Sequence, residues 1–272
     1  MHALAACCAM ASDAAMHPTY DRLAAALTRG RDGKPASQRW IAIAGGPGSG
    51  KSTLAAAIAE RVNAQSPGAC VVLPMDGFHY SRAELRALDP PNADSYLPRR
   101  GAPWTFDAEG CCKQLRAARD TGEATLPTYS RELSDPVPGG ARLERTHSII
   151  LVEGNYLLLF DDPRWAPLRE LWDERWFIKC PDAAAQRRRL ILRHLETWNE
   201  EKTARWGAGE IGAAARADAN DVKNMALIAY ANATPRLAAY FSATAVLSRM
   251  RACGRRALTS APSPTLVIRQ SV

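Results

Sequence analysis

One octapeptide, Gly45-Gly46-Pro47-Gly48-Ser49-Gly50-Lys51-Ser52, constrains this chain more than any other stretch. It fits the spacing G-x-x-x-x-G-K-[ST]. Before it runs Arg39 to Ala44, apolar enough for a buried strand; after it runs Ser52 to Val62, rich in Ala, Leu and Ile with helical periodicity. A chance match is the alternative, and the strand before and helix after count against it. Glycines let the backbone wrap closely and turn its N–H groups toward phosphate oxygens, while the helix start adds the positive end of its dipole. Gly45, Gly46, Pro47, Gly48, Ser49, Gly50, Lys51, Ser52 and Thr53 are therefore the expected ATP-binding set. Lys51 is expected to reach the β- and γ-phosphates, and Ser52 to hold Mg2+ through its hydroxyl.

Further apolar runs follow at Cys70 to Met75, His147 to Glu153 and Trp176 to Cys180, with a helix starting near Pro181-Asp182 after the last. A short leading helix is expected over Asp21 to Arg29. Strands alternating with helices imply βαβ units: a three-layer α/β P-loop fold, its mostly parallel five-stranded sheet covered by helices on both faces. Between the second and third strands lies a long region, Gly77 to Arg145, with a helix expected over Asp107 to Arg119 and proline-rich loops at Asp89-Pro90-Pro91 and Leu133 to Gly140. Insertions of that length inside a compact sheet protein are more often functional than idle. After Asn232 the pattern degrades into one basic helix, Leu237 to Arg256, and a last strand or tail at Thr265 to Ile268. The expected organisation is a poorly ordered stretch over 1–20, one phosphate-loop domain over 21–236 with a small lid at about 182–220, and a divergent basic segment over 237–272.

Composition narrows the class less. At 272 residues, 47% hydrophobic and 23% charged, the chain suits one sizeable α/β domain. No apolar run is long enough for a membrane span. The net charge of +7, carried mostly by arginine, suits a triphosphate pocket as well as nucleic acid, and no nucleic-acid recognition signature accompanies it. The seven cysteines lack C-x-x-C spacing, so neither a zinc site nor a disulfide framework is supported and a reducing compartment is the simplest context. The first 18 residues contain no Lys or Arg and read as neither signal nor transit peptide. A cytoplasmic protein is expected, with a small-molecule partner, without nucleic acid or membrane, and with homodimerisation left open.

The remaining motifs separate the kinds of phosphate-loop protein. No N-K-x-D guanine-reading motif and no L-S-G-G-Q signature occurs. The strand Ile149 to Val152 ends in Glu153, where a carboxylate can orient Mg2+ through a water; a surface Glu at a strand end is the alternative. The second strand ends in Met75-Asp76-Gly77-Phe78-His79. Ligands of open α/β sheets gather at the carboxyl ends of strands, which brings Asp76 near the γ-phosphate as acceptor of a hydroxyl proton. An ordinary Asp-Gly turn is the alternative.

Taken together, the phosphate loop, the strand-end Asp-Gly-Phe-His and the strand Ile150-Leu151-Val152-Glu153-Gly154-Asn155-Tyr156 resemble the phosphoribulokinase/uridine kinase family, in particular its pantothenate-kinase-like branch. Arg99-Arg100-Gly101…Phe106-Asp107 and Pro127-Thr128-Tyr129-Ser130-Arg131 look like further motifs of those enzymes, and the likeness covers roughly residues 39 to 235. It implies an ATP-dependent kinase acting on a hydroxyl of a small molecule, with a catalytic Asp76, substrate contacts from the Tyr129 loop and a mobile arginine lid. Arg131 stands where the pantothenate enzymes have His, which turns the expectation toward an acidic or phosphorylated acceptor. Phe78, His79 and Arg100 complete the expected substrate-binding set.

The lid helix carries Arg187, Arg188, Arg189 and Arg193. Such a run is usually a solvated face; by the resemblance, Arg188 and Arg193 are the expected catalytic pair beside Lys51 and Asp76. Asn220, Asp221 and Asn224 either contact ligand or cap a helix. A nucleotide-dependent switch or hydrolase, or an ATP-binding protein without a small-molecule acceptor, is the rival reading.

Overall fold

The computed structural model describes residues 18–29, 38–88, 96–180, 182–232 and 265–269. Helix α1 (18–28) leads into strand β1 (Arg39–Gly45), which passes through the phosphate loop to α2 (Lys51–Gln65) and β2 (Cys70–Pro74). Then come α3 (Arg82–Leu88), α4 (Ala108–Thr121), β3 (Ala124–Ser130), β4 (Asp135–Leu143) and β5 (Ile149–Gly154). Strand β6 (Glu174–Lys179) precedes α5 (Ala183–Glu196), α6 (Glu200–Trp206), α7 (Gly209–Arg216), α8 (Val222–Ala231) and β7 (Thr265–Arg269).

The main sheet has the order β2-β5-β1-β6-β7, and every pairing in it is parallel. Alternation along β1 shows why two layers of helices are needed. Trp40, Ala42 and Ala44 belong to a core with α4, Tyr156, Trp165 and Ile228. Ile41 and Ile43 belong to a second core with Leu23 and Leu27 of α1 and Leu54, Ile58 and Val62 of α2. Successive side chains of a strand point to opposite faces, so an unbroken apolar strand buries both. Full burial of each such Ile or Leu is worth about 1.5–3 kcal/mol. The start of β1 is pinned by its neighbours: the Trp40 amide donates to Asp173 Oδ2 at 2.7 Å, and Arg119 donates to the same carboxylate.

One expectation changes. Residues 133–140, expected as a proline-rich loop, mostly form strand β4, which pairs antiparallel with β3 in a separate two-stranded sheet. Proline is tolerated there because each strand of a two-stranded ribbon is an edge, and Pro127 falls where the register shifts between Leu126 and Thr128. At the other end, of the two alternatives for Thr265 to Ile268 the strand is found: β7 pairs parallel with β6. The basic helix expected over Leu237 to Arg256 and the first 17 residues lie outside the described residues. No helix among the described residues is long and apolar enough to cross a membrane.

Beyond β6, helices α5, α7 and α8 form a small unit with its own core of Leu190, Ile191, Ala213, Ala217 and Met225. Between α7 and α8 the chain makes a π turn over Ala217–Asp221, in which the amide of Val222 reaches back to the carbonyl of Ala217.

Candidate active site

The register of the three central strands builds the site. Ile43 of β1 and Pro74 of β2 both stand opposite Glu153 of β5, so the three strands end together. The phosphate loop, Asp76 and Asn155 all follow within a few residues of those ends.

In the loop, Gly48 and Gly50 have φ of +73° and +90°, values that side chains with a Cβ rarely adopt. Gly50 is the N-cap of α2 and supplies no side-chain cap, and no acidic residue occupies the first turn. The opening of the helix therefore presents amide donors and no competing anion, which is the property a phosphate needs. Lys51 is buried, donating to Asn155 Oδ1 at 2.8 Å and to the Gly46 carbonyl at 3.3 Å. Burial pushes its pKa down, opposed by the charges of Glu153 and Asp76. Ser52 and Thr53 are exposed at the mouth. Glu153 is buried, and its pKa is raised by that burial against the opposing Lys51 charge and a hydrogen bond from the Ser52 side chain. A buried carboxylate held in this way beside an exposed hydroxyl suits a cation.

Asp76 lies in the 3-10 turn Met75–Phe78 directly after β2. The Asp-Gly step is required by packing. A Cβ on Gly77 would lie 2.0 Å from the carbonyl oxygen of Pro127, so only glycine lets β3 run this close. That approach sets the Tyr129 ring 4.9 Å from the His79 ring, which also stacks on Phe106 at 3.8 Å. His79 Nδ1 contacts the carbonyl of Asp76 at 2.7 Å. A carbonyl only accepts, so Nδ1 carries the proton and Nε2 keeps its lone pair. Burial lowers the His79 pKa, which favours this neutral form.

Three further expected residues have well-defined surroundings. Phe78 is buried in the main core, and its carbonyl accepts from the Asp107 amide at 2.8 Å. Arg100 is committed to structure: it pairs with Asp135 at 2.8 Å and donates to the Tyr80 carbonyl at 2.9 Å, to Tyr129 Oη at 3.3 Å and to the Ser134 carbonyl. It therefore ties the β3–β4 ribbon to the 99–101 loop. Arg188 is 64% exposed and lies 3.8 Å from Asp182 at the start of its own helix. On α5 it is Gln186, Arg189, Leu190 and Arg193 that share a face by their three- and four-residue spacing. That face meets the phosphate loop: Gln186 Nε2 donates to the Pro47 carbonyl at 2.7 Å, and a Cβ on Gly48 would lie 3.0 Å from Leu190 Cγ.

Arg193 faces Asp221. Its charge is felt at Lys51, and Nη2 lies 3.9 Å from Asp221 Oδ1. Arg131 is exposed on the turn after β3, and its charge is felt at Glu153.

Asn155, Gln186 and Arg216 are the residues that sequence reading missed. Arg216, at the end of α7, is half-buried, with Asp221 and Tyr129 among the groups that set its field. The Glu-Gly-Asn step after β5 was the available signal for Asn155; Gln186 and Arg216 had none.

No family model matches the chain. A Schizosaccharomyces pombe protein described as a uridine kinase is 36% identical over 198 residues, covering 72% of this chain and 80% of that one. A crystal structure of a Silicibacter protein described as a fructose transport system kinase is 31% identical, with a TM-score of 0.63, covering 78% of this chain and 94% of that one. The P-loop kinase YFH7 of Saccharomyces cerevisiae, at 16% identity, shares the fold with a TM-score of 0.66 over 93% of this chain and 99% of its own. With an S. pombe relative this similar over most of its length, the chain belongs to the uridine kinase type of P-loop kinases, the family that its motifs resemble.

Proposed function

We propose that the protein transfers the γ-phosphoryl group of ATP to a hydroxyl of a small metabolite, with Asp76 as the general base. The observation that carries this reading is Asp76 itself. It sits beyond the carboxyl end of β2, its charge is felt at both Lys51 and Glu153, and it is bordered by His79 and Tyr129. The rings of His79 and Tyr129 border Asp76 and offer a surface for an acceptor, which a hydrolase does not require. Kinase names among the relatives support the class: uridine kinase in Lactiplantibacillus plantarum and pantothenate kinase in Nocardioides.

In this reading the amides of the phosphate loop and the Lys51 ammonium grip phosphate oxygens, and Ser52 with Glu153 would hold Mg2+. No group of three or more His, Cys, Asp or Glu side chains suited to a metal occurs among the described residues. Mg2+ is commonly held by one or two carboxylates together with phosphate oxygens. When bound, the metal supplies positive charge at the transferring phosphate. Asp76 accepts the acceptor's hydroxyl proton, and the oxygen so freed forms the new bond to phosphorus as the bond to the leaving diphosphate breaks. His79, neutral and fixed by Asp76's own carbonyl, offers Nε2 as an acceptor that orients a second hydroxyl. Lys51 and Arg193 balance the developing charge, and most of the rate comes from positioning and electrostatics. Arg131 favours an acceptor bearing a carboxylate or phosphate, since guanidinium pairs with either.

A panel of hydroxyl metabolites tests this, with neutral and anionic members of the nucleoside, sugar, glycerate and pantothenate classes. ADP release should rise at least tenfold over the acceptor-free rate with one class. Steady hydrolysis that no member stimulates would instead support the switch or hydrolase reading.

A further inference from the structure

The π turn Ala217–Asp221 has two sides, and each is tied to a different part of the site. On one side it holds the 99–101 loop. Asn220 Nδ2 donates to the Arg100 carbonyl at 2.5 Å, and Arg99 donates to the Ala219 carbonyl at 3.0 Å and to Asn224 Oδ1 at 3.3 Å. The chain on that side carries Arg100, which grips the Tyr129 ribbon through Asp135. Gly101 is fixed from below, its carbonyl accepting from Tyr156 Oη at 2.5 Å. On the other side, Asp221 Oδ2 contacts His194 Nε2 at 2.7 Å, and Asp221 Oδ1 lies 3.9 Å from Arg193.

Neighbouring residues of one turn thus face the acceptor side and the lid helix. A turn closed five residues apart is wider than one closed four apart, and single π turns of this kind recur at functional sites. Asn224, buried four residues on, donates to Asn220 Oδ1 at 3.3 Å and keeps the Asn220 amide aimed at the loop. Nothing in the phosphate-loop chemistry requires these contacts, yet they bridge segments about 120 residues apart.

We propose that Asn220 and Asp221 are positioning residues that couple the acceptor-side loop to the lid: Asn220 registers the π turn on the Arg100 carbonyl, and Asp221 thereby sets where Arg193 stands over the phosphate loop. The proposal rests on Arg193 serving bound phosphate, as in the reading above. It adds that Asn220, which touches no reacting atom, acts on phosphate binding through Arg193.

A double-mutant cycle on ATP–Mg2+ affinity, measured by calorimetry without any acceptor, tests the coupling. Arg193→Gln should weaken binding about tenfold, the scale of one charge-assisted contact. Asn220→Ala should weaken it three- to tenfold in the native background and less than 1.5-fold in the Arg193→Gln background. Asn220→Asp keeps the side chain's shape and loses the donor, so it should follow Asn220→Ala. Equal losses in both backgrounds would overturn the coupling, as would full affinity in both Asn220 variants. A defect of folding alone would lower affinity equally in both backgrounds and so counts against the proposal. Failure of the kinase reading shows elsewhere, in acceptor-dependent turnover, which this cycle does not use.

Discussion

His79 Nδ1 donates to the main-chain carbonyl of Asp76, 2.7 Å away, so the His79 ring is fixed by the backbone of the proposed base itself. Burial lowers the His79 pKa from its ordinary value of 6.5. The unfolded chain then binds the proton at a pH where the native chain does not, so the stability that His79 contributes is complete above about pH 6.5 and is lost as pH falls below it. Thermal unfolding followed from pH 7.5 down to 5 should show a falling midpoint. His79→Asn keeps a donor for the Asp76 carbonyl and removes the titration, so its midpoint should fall less steeply over that window. An identical slope in the variant would place the acid sensitivity elsewhere.

The Lys51–Asn155 contact gives a second prediction. Lys51 is buried, and Asn155 Oδ1 is its shortest hydrogen-bond acceptor at 2.8 Å. Asn155→Ala leaves the ammonium without that acceptor; hydrogen bonds to charged groups are worth about 1.5–3 kcal/mol. Affinity for ATP–Mg2+ should fall about tenfold or more by calorimetry, while Asn155→Asp, which keeps an oxygen there, should retain most of it. Unaltered affinity in Asn155→Ala would remove this contact from the account.

How far the site was legible depends on how local its signals are. The phosphate loop, the strand before it and Asp76 were readable because each is set by a few consecutive residues. Lys51 with Asn155 and Gln186 with Pro47 join positions 104 and 139 residues apart, and no spacing rule reaches that far. Arg188 and Arg193 looked alike in a run of arginines; the phase of α5 separates them, and that phase is set by Gln186 and Leu190 docking on the loop. The β4 strand was hidden by its prolines, which read as loop until β3 is seen to give them an edge to occupy.

That separation of the arginines is itself testable. Arg193→Gln should lower acceptor-dependent turnover at least tenfold. Arg188→Gln, at an exposed position with one long ion pair, should stay within about twofold of the native protein, as surface pairs contribute little. Steady-state rates for the two variants side by side check it; the reverse order would mean that the lid turns another face to the loop.

Phe78 belongs to the fold more than to the pocket. It is 4% exposed, in the same core as Phe106 and Trp165. Phe78→Ala should cost about 3–5 kcal/mol through the cavity left behind. At about 2–4 °C per kcal/mol for a domain of this size, the thermal midpoint should drop by roughly 10 °C. Phe78→Leu should lose much less. A midpoint unchanged in Phe78→Ala would contradict its place in the core.

The central claim is that Asp76 activates a hydroxyl for attack on ATP, and Asp76→Asn measures it most directly. With the acceptor found by panel screening, turnover of Asp76→Asn should fall at least ~100-fold, the scale of a lost general base. Its affinity for ATP–Mg2+ should stay within about threefold of the native protein, because the phosphate loop and Lys51 are untouched. A variant that phosphorylates the same acceptor at the native rate would contradict the account.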